Sequence, residues 1–454
     1  MTKLNVLVII LSSLSFAYSL FHIGDSLFSY IYILPLLVVL LSIVFSNIYY
    51  SYSKSIVFHI YILQVIMRYC ILPALLSRGE NFSVGYRSIN LNLSITIMVI
   101  ELLATFIVLF LFSYKQSNAY ENRIVYIKTI KSYLVTSLIL ITIFIYMYTT
   151  NAFEQINPIW QLQQYVDDYI TNQNELLIDG YGVILYQPFK VIASLLLISL
   201  IYNSRYISNK KKKWAYLMII VTSSLFITGI SRFNIILSSL PLLVLIIHLL
   251  DKKDSKLVLT LTTISLSVVL MVTSIAKFSR YGNTASAESL INADSINAYF
   301  AGPGNIANGL DAFASIKPNA LLFFINDTIQ NIPLLAQFTS VKYTLTSAFN
   351  NQYYGHQLWA DQIVPLSISG LFHFSIFGIF IYSALFLAIA LSFERLSYKT
   401  INIGYKYIFI SLSVSLSLIF MSLLSSYYAF IARTFLFLFI PIFIVTNLPK
   451  FKYK

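Results

Sequence analysis

Charge is what this 454-residue chain has least of: Asp, Glu, Lys and Arg make up 10% of it, against 58% hydrophobic residues and a mean hydropathy of +0.78. Soluble domains carry roughly a quarter of their residues as charges, so this chain lacks the polar surface to cover itself in water. Lipid is its solvent, and length translates into membrane crossings rather than soluble domains. The single cysteine, Cys70, lies inside an apolar run, which excludes an intrachain disulfide framework and a cysteine-based metal site. No phosphate-cradling Gly-x-x-x-x-Gly-Lys-Ser/Thr loop is present, so ATP hydrolysis is not expected. Neither a His-Glu-x-x-His pair nor an Asp-x-Asp pair suggests a metal, and Asp167-Asp168 reads as a solvated loop face. Histidine is scarce as well, at five residues.

What is present in abundance is long apolar runs. They lie at about 4–22, 28–49, 55–77, 92–113, 129–149, 181–203, 214–231, 233–250, 256–277, 364–391, 406–431 and 433–449. Each reads as a helix, because the bilayer core offers no partner to an unsatisfied backbone group. Lys3 followed by an apolar stretch also fits a cleaved leader, but the many spans beyond it favour a retained first helix. The expected fold is all-α and polytopic with about twelve spans. It divides into helices 1–9 over residues 1–277, a long segment over 278–363, and helices 10–12 over 364–454. A tight turn at Gly229, Ser231 and Arg232 separates the seventh and eighth spans.

The formal net charge is +13, yet nucleic acid is not the expected partner, because the basic residues sit in short loops between apolar runs. With the N-terminus inside, the inner segments hold Lys3, Lys54, Lys115, Arg123, Lys128, Lys131, Arg205, Lys210 to Lys213, Lys252, Lys253, Lys256, Arg395, Lys399, Lys406, Lys450, Lys452 and Lys454. Most acids fall outside, and the loop at about 150–180 has five acids and no Lys or Arg. That asymmetry predicts both termini in the cytoplasm. Merging the spans on either side of Arg232 would flip every later loop, so the turn there is expected to be real. The 278–363 segment is then external, and a long structured loop on a rigid scaffold is a common seat of function.

Ionisable groups within spans are costly and default to a functional hypothesis. Arg68, Glu101 and Lys190 are three such groups. Either they line an outward cavity, or Arg68 and Glu101 neutralise one another while Lys190 snorkels outward. The few outer basic residues are Arg78, Arg87, Arg232, Lys277, Arg280, Lys317, Lys342 and Arg433. Arg232 and Arg433 are expected at hairpin tips, with Arg280 just after the ninth span. Arginine suits a diphosphate because its planar fork donates two parallel hydrogen bonds and stays charged; the bland alternative is anchoring to lipid headgroups. His356, in the stretch Asn350-Asn351-Gln352-Tyr353-Tyr354-Gly355-His356-Gln357 with Asp361 five residues on, is the candidate base. His22, His59 and His248 read as structural, and His373, between Gly370 and Gly378, as packing. Asn326 is noted only as the start of an Asn-x-Thr triplet, to which no glycan is assigned.

This layout resembles the Wzy-type polymerases of O-antigen and capsular oligosaccharide repeat units. The likeness covers roughly residues 225–440. It rests on the stretch Gly229-Ile230-Ser231-Arg232-Phe233-Asn234 at the start of a span, on Arg280-Tyr281-Gly282 after Lys277, on the piece from Asn350 to Gly370 with His356, Pro365 and Ser367, and on Arg433. Ile230 departs from the small residue expected there. The resemblance implies transfer of a growing glycan from undecaprenyl diphosphate to the non-reducing sugar of another lipid-linked repeat unit, on the outer face of a bacterial inner membrane. It implies no cofactor and no metal. The implied partners are lipid-linked oligosaccharides, membrane lipid and a chain-length regulator protein. Arg232, Arg280 and Arg433 would hold the diphosphate, His356 or Asp361 would take the acceptor proton, and Arg78, Lys190, Arg68 and Glu101 are secondary cavity candidates. Tyr353, Tyr354 and Trp359 would stack on sugar rings. Two other activities share the architecture: a lipid-linked oligosaccharide flippase, expected to have short outer loops, and the ligase that moves finished O-antigen to lipid A core. A scaffold without catalysis is a further alternative.

Overall fold

A computed structural model of the chain describes residues 2–22, 24, 28–80, 90–121, 127–130, 133–158, 180–228, 232–278, 292–317, 319–332, 335–355 and 363–447. The chain is an all-α membrane protein; among the described residues six helices are long and apolar enough to cross a bilayer, and five shorter apolar helices accompany them. By packing it divides into two units of interleaved stretches. One comprises Met1–Arg123, Ser286–Arg395 and Leu412–Arg433, and the other Ile124–Ala285, Leu396–Ser411 and Thr434–Lys454.

The first unit opens with α1 (Lys3–Phe21), α2 (Ile33–Val44), α3 (Ser46–Ser51), α4 (Ile56–Ser77) and α5 (Leu91–Glu121). Helix starts are specified locally. The Thr2 hydroxyl accepts the Asn5 N–H at 3.2 Å to cap α1, and the Ser55 hydroxyl oxygen accepts the Phe58 N–H at 3.0 Å to cap α4. Glu394 adds a carboxylate at the α4 N-terminus, taking the Ile56 N–H at 2.7 Å and the Ser55 hydroxyl at 2.6 Å. There it answers orphan donors and complements the helix dipole.

The core of this unit is aromatic, and four of its tyrosines are tied by hydrogen bonds. Ser42 meets the Tyr49 hydroxyl at 2.8 Å, Tyr52 donates to the Leu109 carbonyl at 2.9 Å, Tyr61 meets Thr105 at 2.7 Å, and Tyr69 donates to the Met98 carbonyl at 3.2 Å. Tyrosine fills space as phenylalanine does and also ties helices together where no water competes for the hydroxyl.

Among its described residues, the segment between the ninth and tenth expected spans is largely helical. It contains α11 (Ala293–Phe300), α12 (Pro303–Ile316), α13 (Ala320–Ile329) and α14 (Leu345–Tyr354). Glu80, after α4, accepts the Ala293 N–H at 2.8 Å, and Asn90, before α5, donates to Asp311 at 2.9 Å. These two contacts seat α11 and α12 at the C-terminal end of α4 and the N-terminal end of α5. Within the segment Asn297 caps α12 through the Gly304 N–H at 3.0 Å and donates to Asn305 at 2.7 Å, while Asn305 donates to the Ile363 carbonyl at 2.8 Å.

Four expected spans differ from the observed helices. The 28–49 run breaks at Phe45 into α2 and α3. The 364–391 run begins as α15 (Leu366–Phe374) and reverses at Ser375, whose φ is +57°. A tight 3-10 stretch, Ser375–Phe380, then packs back against α15 before α16 (Ile381–Lys399). Gly370 and Gly378 face one another across this hairpin so closely that a methyl group on either would overlap the other's carbonyl oxygen. Finally, the last expected turn is not at Arg433. Helix α17 (Ile403–Leu416) ends before a buried non-helical stretch at 417–423, and the next helix runs from α18 (Leu424–Arg433) through a π turn (Thr434–Phe439) into α19 (Ile440–Asn447). The break carries no Gly or Pro. Its backbone is answered by Gln64, which donates to the Ser417 carbonyl at 2.9 Å and accepts the Phe420 N–H at 3.0 Å. A non-helical turn persists in a lipid-embedded bundle only where protein supplies such partners.

In the second unit α6 (Tyr133–Thr149) packs on α7 (Gly180–Asn203), and α8 (Asn209–Leu225), α9 (Arg232–Leu249) and α10 (Lys252–Phe278) pack on one another. Helices α8 and α9 are thus separate, as the charge pattern requires, although the turn at Gly229 and Ser231 lies outside the described residues. A short antiparallel ribbon pairs β1 (Ile156–Pro158) with β2 (Phe226–Thr228), just before α9. Lys213 and Asp254, near the starts of α8 and α10, form an ion pair at 3.0 Å, which places those two starts side by side.

Because the glycine hairpin has no room for a Cβ, Gly370→Ala and Gly378→Ala are each expected to lower stability by about 1–3 kcal/mol or more. Gly24→Ala, at a position with nothing within 4 Å, is expected to be neutral. Thermal unfolding of the three variants in detergent checks this, and equal melting temperatures would contradict it.

Candidate functional site

The polar centre of the first unit lies where the 293–354 helices meet the α15 hairpin. Asn319 starts α13 by accepting the Leu322 N–H at 3.2 Å, and Asn326 holds the following loop by accepting the Ser340 N–H at 2.8 Å. The next residue, Asp327, is buried at 2% exposure. Its Oδ1 accepts from the Leu345 N–H at 3.0 Å, at the start of α14, and from Gln330 at 3.1 Å. Its Oδ2 faces Nε2 of His373 at 2.9 Å. His373 lies in the last turn of α15, buried, with the rings of Phe324, Phe374 and Tyr382 edge-on around it. Its Nδ1 meets the Tyr382 hydroxyl at 2.8 Å.

The hydrogen-bond roles in this row follow from the carboxylate. Asp327 accepts at both oxygens, so the proton of its contact with His373 belongs to Nε2. Nδ1 is then the acceptor, and the Tyr382 hydroxyl donates to it. An acid, an imidazole and a hydroxyl in this order have the connectivity that prepares an imidazole to accept a proton from the hydroxyl side.

Two of the span charges read from the sequence come together. Arg68 and Glu101 form an ion pair at 2.8 Å in which both side chains are buried, and the Ser383 hydroxyl donates to the second carboxylate oxygen. Arg68 lies in a π turn, Met67–Ile71, and its guanidinium sits over the Phe420 ring at 4.3 Å. Its Nε and Nη2 have no hydrogen-bond partner. This is the neutralised pair, fastening α4, α5 and α16 to the 417–423 break. In the second unit Lys190 does not snorkel. It is buried, donates to the Ser223 carbonyl at 3.0 Å near the C-terminal end of α8, and lies over the Tyr186 ring. Carbonyls at a helix C-terminus are a natural berth for a cation.

Of the remaining candidates, Arg78 is exposed at the end of α4. Arg433 is exposed near the middle of the apolar stretch Leu424–Ile444, not at a hairpin tip, because the preceding turn is ten residues earlier than expected. Arg232 is the first residue of α9, with its side chain outside the described part of the structure. Arg280, His356, Trp359 and Asp361 lie outside the described residues altogether. Among the partnerless buried polar atoms of the described residues, which also include those of Asn5, Thr262, Thr339, Ser415 and Tyr427, are Nδ2 of Asn308, Oδ1 of Asn350 and Oγ of Ser367. These three belong to α12, α14 and α15, and α12 packs against the other two. Among the described residues no group of three or more His, Cys, Asp and Glu side chains is arranged to hold a metal.

Asp327 and His373 were not singled out as functional from sequence. They are 46 positions apart, and neither stands in a local motif. No family model, curated protein or solved structure matches the chain.

Removing one member of the Arg68–Glu101 pair strands the other in a dry interior. Arg68→Ala and Glu101→Ala are each expected to cost about 3–5 kcal/mol, and the double replacement Arg68→Met with Glu101→Leu much less. Melting of the three variants beside the parent protein in detergent measures this. A double variant as unstable as the sum of the two singles would show that the pair is not a coupled unit.

Proposed function

We propose that this protein is a glycan polymerase of the lipid-diphosphate type, with about twelve spans in a bacterial inner membrane, both termini cytoplasmic and the 278–363 segment external. The orientation rests on the inner basic loops and the acidic outer ones. In the reaction, a growing glycan leaves undecaprenyl diphosphate and joins the non-reducing sugar of a second lipid-linked repeat unit. The donor is already activated, so the protein's task is to bind the departing diphosphate, deprotonate the acceptor hydroxyl and exclude water from the sugar's reacting carbon.

The observation that carries this reading is the folded 293–354 segment, which delivers Asp327 to His373 at the mouth of the next membrane hairpin. Arg433 supports the same reading: a guanidinium within an apolar helix is expensive unless it has an anionic partner. Arg232 and Arg280 complete the diphosphate set in this proposal, and His356 and Asp361, between α14 and α15 in the sequence, remain acceptor-side candidates. The partnerless Asn308, Asn350 and Ser367 atoms suit the hydroxyl groups of a sugar, since buried polar groups of this kind are otherwise costly.

A strain lacking the gene is expected to display surface glycan of a single repeat unit, seen as one band on a gel. Complementation with Arg433→Ala is expected to leave that single band, while Arg433→Lys restores a faint ladder. Loss of all surface glycan in the deletion strain would favour a flippase. A full ladder from Arg433→Ala would remove the assigned role of that arginine.

A further inference from the structure

Helix α13 is amphipathic the wrong way round for water. Its buried residues are Phe323, Asn326 and Asp327, and both polar ones are answered inside the protein. Its outward residues include Leu321 at 68% exposure and Ile325 at 44%, one helical turn apart. Ala320 is exposed beside them, and Leu322, Phe324, Thr328 and Ile329 are partly exposed, so no charge lies on that face. The Thr328 hydroxyl is answered within the helix, donating to the Phe324 carbonyl at 2.7 Å. A helix that turns its carboxylate inward and its leucine outward fits surroundings that are themselves apolar. With ten residues, α13 is about 15 Å long, roughly half the thickness of a bilayer's hydrocarbon core, so it does not cross one.

The adjoining surface says what those surroundings are. The Phe324 ring meets Phe374 at 5.9 Å, at the tip of the α15 hairpin. That tip exposes Phe374, Ile376 and Phe377, the last at 74%. It belongs to the apolar stretch Leu366–Lys399, which is long enough to span a membrane. The outward face of α13 therefore continues into the surface of a membrane-crossing element. Two exposed lysines flank it in the chain. Lys317 comes two residues before the Asn319 cap, and Lys342 lies over the Tyr343 ring at 5.8 Å in a short turn that packs against α13. Lysine and tyrosine beside an apolar face mark the depth of lipid headgroups.

We propose that α13 and the tip of the α15 hairpin sink together into the outer leaflet, with Leu321, Ile325, Ile376 and Phe377 against acyl chains and Lys317 and Lys342 among the headgroups. Part of the segment between the ninth and tenth expected spans is then a membrane-embedded element and not a loop in water. Naming the outer leaflet rests on the orientation proposed above; contact with lipid does not. The alternative occupants of this face are water, a second copy of the chain and another protein.

The test uses the full-length protein in vesicles of phosphatidylethanolamine and phosphatidylglycerol. The single native cysteine is removed by Cys70→Ala, and Leu321→Cys, Ile325→Cys, Phe377→Cys and Lys342→Cys are each introduced and labelled with a nitroxide. Oxygen concentrates in hydrocarbon and a neutral nickel chelate stays in water, so their collision rates with the label report its surroundings. Labels at 321, 325 and 377 are expected to collide more with oxygen than with the chelate, and the order is expected to reverse at 342. Three sites on the face are used so that two remain if one variant misfolds, which its melting temperature shows. Chelate collisions at 321 and 325 equal to those at 342 would put the face in water and overturn the proposal. Labels shielded from both reagents would show a protein cover, with spin–spin broadening if that cover is a second copy, and would overturn it as well. Either result leaves the polymerase reading standing. In intact cells, the cysteine of the Lys342→Cys variant is expected to react with a membrane-impermeant maleimide. Reaction only after permeabilisation would overturn the outer-leaflet assignment together with the orientation in the reading above.

Discussion

Inside a bilayer a polar group must find its partner within the protein, and most of this structure follows from that constraint. Gln64 answers the backbone of the 417–423 break, Glu394 answers the first amides of α4, and Arg68 and Glu101 answer one another. In water each of these groups would have ready substitutes. In lipid each pairing decides which two helix faces meet, so a few side chains determine packing that apolar contact alone would leave degenerate. Membrane helices gain little hydrophobic preference for one another over lipid tails, which makes such polar ties the main source of register.

The same constraint gives meaning to the polar groups that are left without partners. Nε and Nη2 of Arg68 rest among aromatic faces and need no further occupant, because the guanidinium is already held by Glu101 and by the Phe420 ring. Asn308, Asn350 and Ser367 have no comparable compensation and lie in the helices that close over α15.

The row from Asp327 through His373 to Tyr382 combines both roles. It draws a helix of the inter-span segment onto the α15 hairpin, and it aligns acid, imidazole and one hydroxyl. The hairpin exists because Gly370 and Gly378 allow two backbones to touch, and His373 sits at its apex because Ser375 reverses the chain there. Geometry for chemistry thus arises from a local steric permission that no larger residue would grant.

The sequence alone determined that this is a helical membrane protein, where its apolar runs lie, that α8 and α9 are separate helices, and that Arg68, Glu101, Lys190 and Arg433 are charges in unusual places. These are local properties: hydropathy sums along a run, and lysine and arginine counts need no knowledge of neighbours. The tertiary structure decided what the sum along the chain does not contain. The 417–423 break lacks Gly and Pro and depends on a glutamine some 350 positions away, so hydropathy ran through it and Arg433 was taken for a turn. His373 looked like packing because its partner Asp327 belongs to another helix, and only the meeting of those two faces makes a candidate site. Apolarity places a helix in the bilayer, but the face it turns to its neighbour is chosen by pairings between residues far apart in the chain.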